Sequence, residues 1–400
     1  MRLSYLSKDR IGKGGYGKVF AAKITSVGDN GVGETVETDV ALKKARVTNH
    51  IRHPLLLHEA WALIVVRGHP NIPRVLGWGR SQYFEYLIME RHGPDLEHTV
   101  KEIGLTERNA VALICQMLDA IEYIHGKGIV HCDIKPSNFV LGRGDNAGRL
   151  YLIDFGLAWQ WTPDFKRGGR RGTVPYSSLR VLGGEAPLPR DDLESLAYTI
   201  VRLVTGTLPW AYWSSRQRLD GSAVSGRDLV QGYPDVFAQF VDFARGLTPT
   251  DDLQYRRWRE AFRGLKPSLP DPEHPMFNHK DRGSRRLWVR WVAPTLGDGH
   301  LHNDGKDEYM LEDEKHVFGG SESRSEMGGD HGFDGLEPSE WYFPVGLSPR
   351  YVISNEFDVV SRHLDFIDEP PLYDGGRSVE DRSPPEVMNN TQSNSHCIRL

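Results

Sequence analysis

The sequence predicts an α+β protein, with a β-rich segment over 5–92, a helical segment over 93–268 and an acidic tail over 269–400. Three observations predict it. The first hundred positions read as strands and turns with one helix. From Thr106 the apolar spacing becomes helical. Beyond about 270 the chain turns to Gly, Ser and acid, with little to offset the ordering entropy of its backbone.

Arg10–Lys23 alternates as two strands joined by a tight turn, and 28–33 is a Gly, Asp and Asn loop. The insert Thr25–Asp39 is expected to be a long loop without chemistry. Thr38–Lys44 reads as a short strand. Pro54–Val66 places Leu56, Ala60, Leu63 and Val66 at helical spacing, and Tyr86–Met89 returns to strand. Thr106 and Asn109 loosely resemble a capping pair before the amphipathic stretch Val111–His125. Asp191–Gly206 is a mostly apolar helix closed by its glycine, and Arg256–Gly264 is the last helix of the body. In the tail, 319–332 and 383–395 are polar, and two apolar islands, 287–292 and 341–353, read either as short docking motifs or as isolated hydrophobes in a floppy tail.

The net charge of −5 hides an asymmetry. Residues 301–400 hold 21 acids and 8 bases, so the first 300 carry 33 acids and 41 bases. The basic charges are not clustered with aromatics, so an anionic ligand or substrate is expected rather than nucleic acid. Cys115, Cys132 and Cys397 are too far apart for a disulfide framework or a metal site, which suits a reducing compartment. No apolar run reaches the ~20 residues of a membrane span, and Met1–Tyr5 lacks the core of a signal peptide. A cytoplasmic or nuclear monomer without membrane insertion is the expectation.

The chemistry concentrates in three places. Gly12-Lys13-Gly14-Gly15-Tyr16-Gly17-Lys18-Val19 is a G-x-G-x-x-G-x-V run, whose glycines let backbone amides approach phosphate oxygens. A dinucleotide-binding fold uses a similar run but continues it as a helix, whereas Val19–Ile24 continues as a strand. Val40-Ala41-Leu42-Lys43 supplies a strand lysine for the α and β phosphates, with Lys44 the competing assignment. Glu59 is the only acid between Lys43 and Glu85 and is the candidate partner of Lys43, against the alternative of a solvated surface residue. His131-Cys132-Asp133-Ile134-Lys135-Pro136-Ser137-Asn138 precedes Asp154-Phe155-Gly156, with Asp154 21 positions after Asp133. Phosphoryl transfer calls for this set. Asp133 would accept the substrate hydroxyl's proton and Lys135 would neutralise the γ-phosphate. Asn138 and Asp154 would bind magnesium, and His131 would pack beneath the loop.

These residues resemble the eukaryotic protein kinases, and within them the casein kinase 1 family, over roughly 5–265. Asp133-Ile134-Lys135-Pro136-Ser137-Asn138-Phe139 resembles the family's D-I-K-P-x-N-F. Arg190–Leu196 resembles its R-D-D-L-E-S-L, and Leu208-Pro209-Trp210 its L-P-W. Asn71-Ile72-Pro73 and Gly93–Glu97 resemble its G-I-P and G-P-S-L-E in part. The A-P-E triplet is replaced by Ser177-Ser178-Leu179, which also resembles the family. The resemblance implies a bilobal fold, β-rich above and α-helical below, with ATP and Mg²⁺ in the cleft. It implies that Ile11, Gly12, Gly14, Gly17, Val19, Ala41, Lys43 and Glu59 line the nucleotide site. Met89 becomes the gatekeeper and Glu90–His92 the hinge that binds adenine. Asp192 becomes an anchor beneath the catalytic loop, and Lys135 marks a Ser/Thr kinase acting on protein substrates.

Two departures stand out. Cys132 replaces the usual Arg, leaving an activation-loop phosphate less to grip and pointing to constitutive activity; a small packed residue is expected there rather than a reactive thiol. Pro175, in Gly172-Thr173-Val174-Pro175-Tyr176, replaces an Arg that reads acidic or phosphorylated substrates. Lys166, Arg167, Arg170 and Arg171 lie upstream as substitutes. Both departures motivate a rival function, a pseudokinase scaffold, although neither removes a group that touches ATP or magnesium. The acidic tail has the charge of a pseudosubstrate for the basic body, with a solubilising role as the alternative. Cys397-Ile398-Arg399-Leu400 has the outline of a prenylation box, with Arg399 out of place.

Overall fold

The chain begins with three long strands, β1 (Arg2–Gly14), β2 (Gly17–Val27) and β3 (Thr35–Arg46), followed by helix α1 (Leu55–Val65), β4 (Val75–Arg80) and β5 (Phe84–Glu90). Successive strand residues point to opposite faces. Val40 and Leu42 therefore join Phe20, Ala22, Tyr86 and Ile88 in a buried cluster on one side of the sheet. Ala41, Ala45, Leu87 and Met89 fall on the other side, with Leu56, Ala60 and Leu63 of α1. This computed structural model describes residues 2–14, 17–27, 35–47, 55–81, 83–161, 171–220, 224–269, 271, 275–283 and 395–399.

The helical part comprises α2 (Leu96–Ile103), α3 (Glu107–Gly126), α4 (Leu179–Leu182), α5 (Pro189–Thr205), α6 (Ser215–Asp220), α7 (Gly226–Leu229), α8 (Asp235–Gly246) and α9 (Tyr255–Arg263). Short strands lie between α3 and α4: β6 (Ile129–Val130), β7 (Phe139–Leu141), β8 (Leu150–Leu152) and β9 (Trp159–Gln160). Pairs β6–β9 and β7–β8 are antiparallel, and residues 131–138 run between β6 and β7. The main sheet has the order β10-β1-β2-β3-β5-β4, where β10 (Ser395–Arg399) pairs antiparallel with β1, Cys397 opposite Ser4.

Local chemistry explains the helix ends. The Thr106 hydroxyl accepts from the Asn109 amide at 3.2 Å and starts α3. Pro189 opens α5, the Asp191 carboxylate accepts from the Leu188 amide at 2.8 Å, and Gly206 closes the helix at φ 80°. The core of this lobe is aromatic: Phe240 meets Trp258 and Phe262 edge-on at 5.0 and 5.5 Å. Truncating such a fully buried Phe costs about 3–5 kcal/mol.

Several boundaries differ from expectation. Much of Thr25–Asp39 is not loop, because β2 and β3 stay paired from Lys18↔Lys44 out to Val27↔Thr35. An exposed Lys23–Glu37 ion pair of 2.7 Å spans the extension. Residues 28–34, including the Gly-rich loop, lie outside the described residues. β4 has no counterpart in the sequence reading, since Gly77 and Gly79 interrupt its apolar run. Asn109 takes the Thr106 cap on its backbone amide, while its side chain is fully buried. Its side chain holds residues 275–283, assigned above to the tail, against the helical lobe through Asn278 and Asp281. Both apolar islands, the pseudosubstrate assignment and the segment 383–394 lie outside the described residues.

Candidate active site

Lys43 sits on the α1-facing side of β3, opposite Val19 on one neighbour and Leu87 on the other. Its Nζ lies 2.6 Å from Glu59 Oε2 and 2.7 Å from Asp154 Oδ1. The Lys43 and Glu59 side chains are only 5% and 2% exposed, so Glu59 is a buried partner rather than a surface acid. Lys44, one residue on, emerges on the opposite face and lies 3.8 Å over the Phe84 ring. The strand period thus selects Lys43. Burial alone would lower the Lys43 ammonium, but Asp154 and Glu59 outweigh it and hold its pKa above the ordinary value. Burial also pushes Glu59 up to about 7, against the pull of Lys43 and aided by the Asp154 charge. Asp154, despite its burial, is held below the usual carboxylate range by Lys43.

Asp133 precedes and Asn138 ends a 3₁₀ turn, Pro136–Asn138, that runs directly into β7. The Asn138 amide nitrogen donates to the Asp133 carbonyl at 2.8 Å and to its Oδ2 at 3.1 Å. Both bonds use the side-chain nitrogen, so Oδ1 is the acceptor atom of the same amide. Lys135 Nζ is 3.0 Å from Asp133 Oδ2. Thr173, to which the sequence reading gave no role, joins them. Its hydroxyl donates to Asp133 Oδ1 at 2.7 Å and accepts from Lys135 Nζ at 2.8 Å. An alcohol therefore already occupies the hydrogen-bonding position between an acid and a cation. The G-T-V-P-Y stretch carried the signal for it.

The loop is held from below. Asp192, buried on α5, accepts from the backbone amides of His131 at 2.6 Å and Cys132 at 2.9 Å, and faces His125 Nε2 at 3.0 Å. These bonds fix Cys132 at φ 68° and offset the cost of a left-handed non-glycine residue. His131 is fully buried, its Nε2 3.0 Å from the Ile153 carbonyl oxygen and its ring edge-on to Phe155 at 4.8 Å. Burial and the neighbouring Asp192 carboxylate raise the Cys132 thiol well above its usual pKa, which keeps it protonated and poorly nucleophilic. Gly172 (φ 87°) passes so close that a Cβ there would lie 2.4 Å from the Cys132 carbonyl oxygen.

The remaining predicted residues lie on β1 to β5 and just after β5. Gly12, Gly14 and Gly17 lie at the β1–β2 connection, where Gly14 pairs with Gly17. A Cβ on Gly17 would meet the Lys44 carbonyl oxygen at 2.5 Å, so that site admits only glycine. Val19, Ala41 and Met89 share the Lys43 side of the sheet, and Ile11 is 49% exposed at its edge. Glu90 is fixed to Arg74, whose Nε donates to it at 2.5 Å. His92 stacks on Tyr151 with ring centres 3.8 Å apart, and burial lowers its pKa to about 4. Downstream, Ser178 caps α4 and donates to Asp191 at 2.8 Å, while Arg180 reaches Asp191 and Glu194 at 2.9 and 2.7 Å. The Pro175 carbonyl accepts from Trp210 Nε1 at 2.8 Å. Lys166, Arg167 and Arg170 lie outside the described residues, and Arg171 stacks over Trp159.

Among the described residues no group of three or more His, Cys, Asp or Glu forms a metal cage. Asn138 and Asp154 offer two hard oxygen donors, which fits magnesium, an ion commonly held by few protein ligands together with substrate phosphates. No helix among the described residues is long and apolar enough to cross a membrane. In comparison with known families, the model of the protein kinase domain matches residues 5–233, more than half of the chain.

Proposed function

The chain belongs to the protein kinase family, and from that premise we propose that it is a Ser/Thr protein kinase of the casein kinase 1 type. Its domain makes it a phosphotransferase that uses ATP and acts on protein. The Ser/Thr reading rests on one observation, the Thr173 hydroxyl bridging Asp133 Oδ1 and Lys135 Nζ. A compact alcohol fits that bridge in the way a substrate Ser or Thr hydroxyl would.

In this reading Asp133 orients the incoming hydroxyl and accepts its proton, while the Asn138 amide holds the Asp133 carboxylate in place. Lys135 balances charge on the moving phosphoryl group. Lys43, oriented by Glu59, clamps the α and β phosphates. Magnesium, when bound by Asn138 and Asp154, neutralises charge on the phosphate oxygens. The casein kinase 1 assignment is supported by Asp192 beneath the loop and by Ser178 and Arg180 joined to Asp191 where other kinases carry A-P-E. The half-buried, protonated Cys132 thiol is compatible with turnover that needs no activation-loop phosphate.

Incubation with labelled ATP, Mg²⁺ and an acidic protein substrate, followed by phosphoamino-acid analysis, tests the proposal. Phosphoserine or phosphothreonine is expected, and D133N should reduce the rate by about 10²–10⁴-fold. Phosphotyrosine as the main product would overturn the Ser/Thr assignment. Nucleotide binding without transfer in the wild-type chain would favour the scaffold.

A further inference from the structure

Helix α1 touches the activation segment at a second point that the phosphate-handling residues leave unexplained. His58 precedes Glu59, and its Nε2 lies 2.9 Å from the Ala158 carbonyl oxygen. Ala158 is buried and closes the 3₁₀ turn Phe155–Leu157, whose first flanking residue is Asp154. A carbonyl oxygen only accepts, so Nε2 carries the proton and donates. The imidazole is neutral there: burial drives its pKa down to about 4, and the nearby Arg171 charge pushes the same way. The His58 ring also lies near-parallel to that of Trp61 at 6.2 Å.

Two adjacent residues of one helix thus hold the two ends of one turn. Glu59 reaches Asp154 through Lys43, and His58 reaches Ala158 directly. Asp154 has left-handed backbone angles, φ 64° and ψ 65°, a conformation that persists only where its surroundings impose it. A bond across each end of the turn does so.

We propose that His58 is a positioning residue for phosphoryl transfer: its Nε2–H bond to the Ala158 carbonyl sets the distance between α1 and the Asp154 turn, so that Glu59 and Asp154 meet on Lys43. The proposal rests on the kinase reading above. It gives the activation segment an anchor that needs no phosphate, in a chain where Cys132 stands in place of the loop arginine.

The test uses the full chain and the variants H58Q, H58N and H58L. The Gln amide is long enough to donate to the same carbonyl, Asn is equally polar but too short, and Leu fills space without donating. H58Q should keep kcat within about 3-fold of wild type. H58L and H58N should lose about 10- to 100-fold in kcat/KM for ATP, the scale on which small misplacements act. Hydrogen exchange of the backbone amides of 154–160 should rise in H58L and H58N and not in H58Q. Equal loss in all three variants, or full activity in H58L, overturns the proposal. If H58L fails to fold, the H58Q–H58N contrast decides. If the wild-type chain transfers no phosphate, the kinase reading falls, while the exchange pattern still reports whether His58 anchors the turn.

Discussion

At the residue scale, His92 gives a testable electrostatic signature. His92 is half-buried and stacks on Tyr151, and its buried Nε2 has no hydrogen-bond partner among the described residues. Its folded pKa, about 4, lies below its ordinary value of 6.5. Between those pH values the unfolded chain binds more protons, so His92 stabilises the fold above about pH 6.5 and that stability is lost as pH falls toward 4. Glu59 works in the opposite sense over an overlapping window. Its folded pKa, about 7, lies above 4.5, so stability falls as pH rises from 4.5 through 7. The two separate in a variant: H92F should recover roughly 2 kcal/mol of the stability difference between pH 7.5 and pH 5, read by chemical denaturation at each pH. A profile parallel to wild type would show that His92 does not titrate in the fold. The same residues show what sequence reveals and what it hides. Lys43, Asp133, Asn138 and Asp154 stand in fixed local registers, so their types and spacing announced them. Thr173 and His58 act through contacts across 40 and 100 positions, and no local pattern carries those.

At the element scale, periodicity exposed the elements with an uninterrupted face and missed the others. α3 and α5 bury most of their length and were legible. β4 was hidden by its glycines, and α8 went unread although Phe237, Phe240, Val241 and Ala244 line one side of it. The segment 275–283 has no periodic face at all. Polar side chains hold it instead. Asn109 donates to the Asn278 and Asp281 carbonyls and accepts from the Asn278 amide, Gln116 donates to the Pro275 carbonyl, and Thr106 donates to Asp281. Phe277 is buried beneath, its amide donating to the Gly148 carbonyl at 2.9 Å. The segment is therefore part of the helical lobe. A chain ending at 268 should be about 3–5 kcal/mol less stable than one ending at 283, the scale of one buried aromatic plus orphaned polar partners. N109A in the full chain should cost roughly 1–3 kcal/mol. Urea denaturation measures both, and equal midpoints for the 268 and 283 chains would show the segment to be an ornament.

At the scale of the whole molecule, the Lys43–Glu59–Asp154 triad joins parts that are otherwise separately built. Lys43 belongs to the sheet, Glu59 to the helix behind it, and Asp154 to the turn after β8 in the helical lobe. One cation serves two carboxylates, so removing it leaves buried acids without a counter-charge. Such a loss costs about 3–5 kcal/mol unless the acids protonate, and Glu59, with its pKa already near 7, is placed to do so. K43M should therefore destabilise the chain at pH 8 more than at pH 6. Nucleotide should bind across the same junction and stabilise both lobes together. Saturation at 100 times the dissociation constant adds about 2.7 kcal/mol, a shift of roughly 5–10 °C in melting temperature for a body of this size. The shift should appear with ATP and Mg²⁺, shrink on chelation of the metal because Asn138 and Asp154 then lose their ion, and vanish in K43M. Differential scanning fluorimetry of the wild type, K43M and D154N with and without chelator reads all three. An undiminished shift in K43M would mean that nucleotide binds away from the triad, and the cleft would lose its role as the place where the lobes act together.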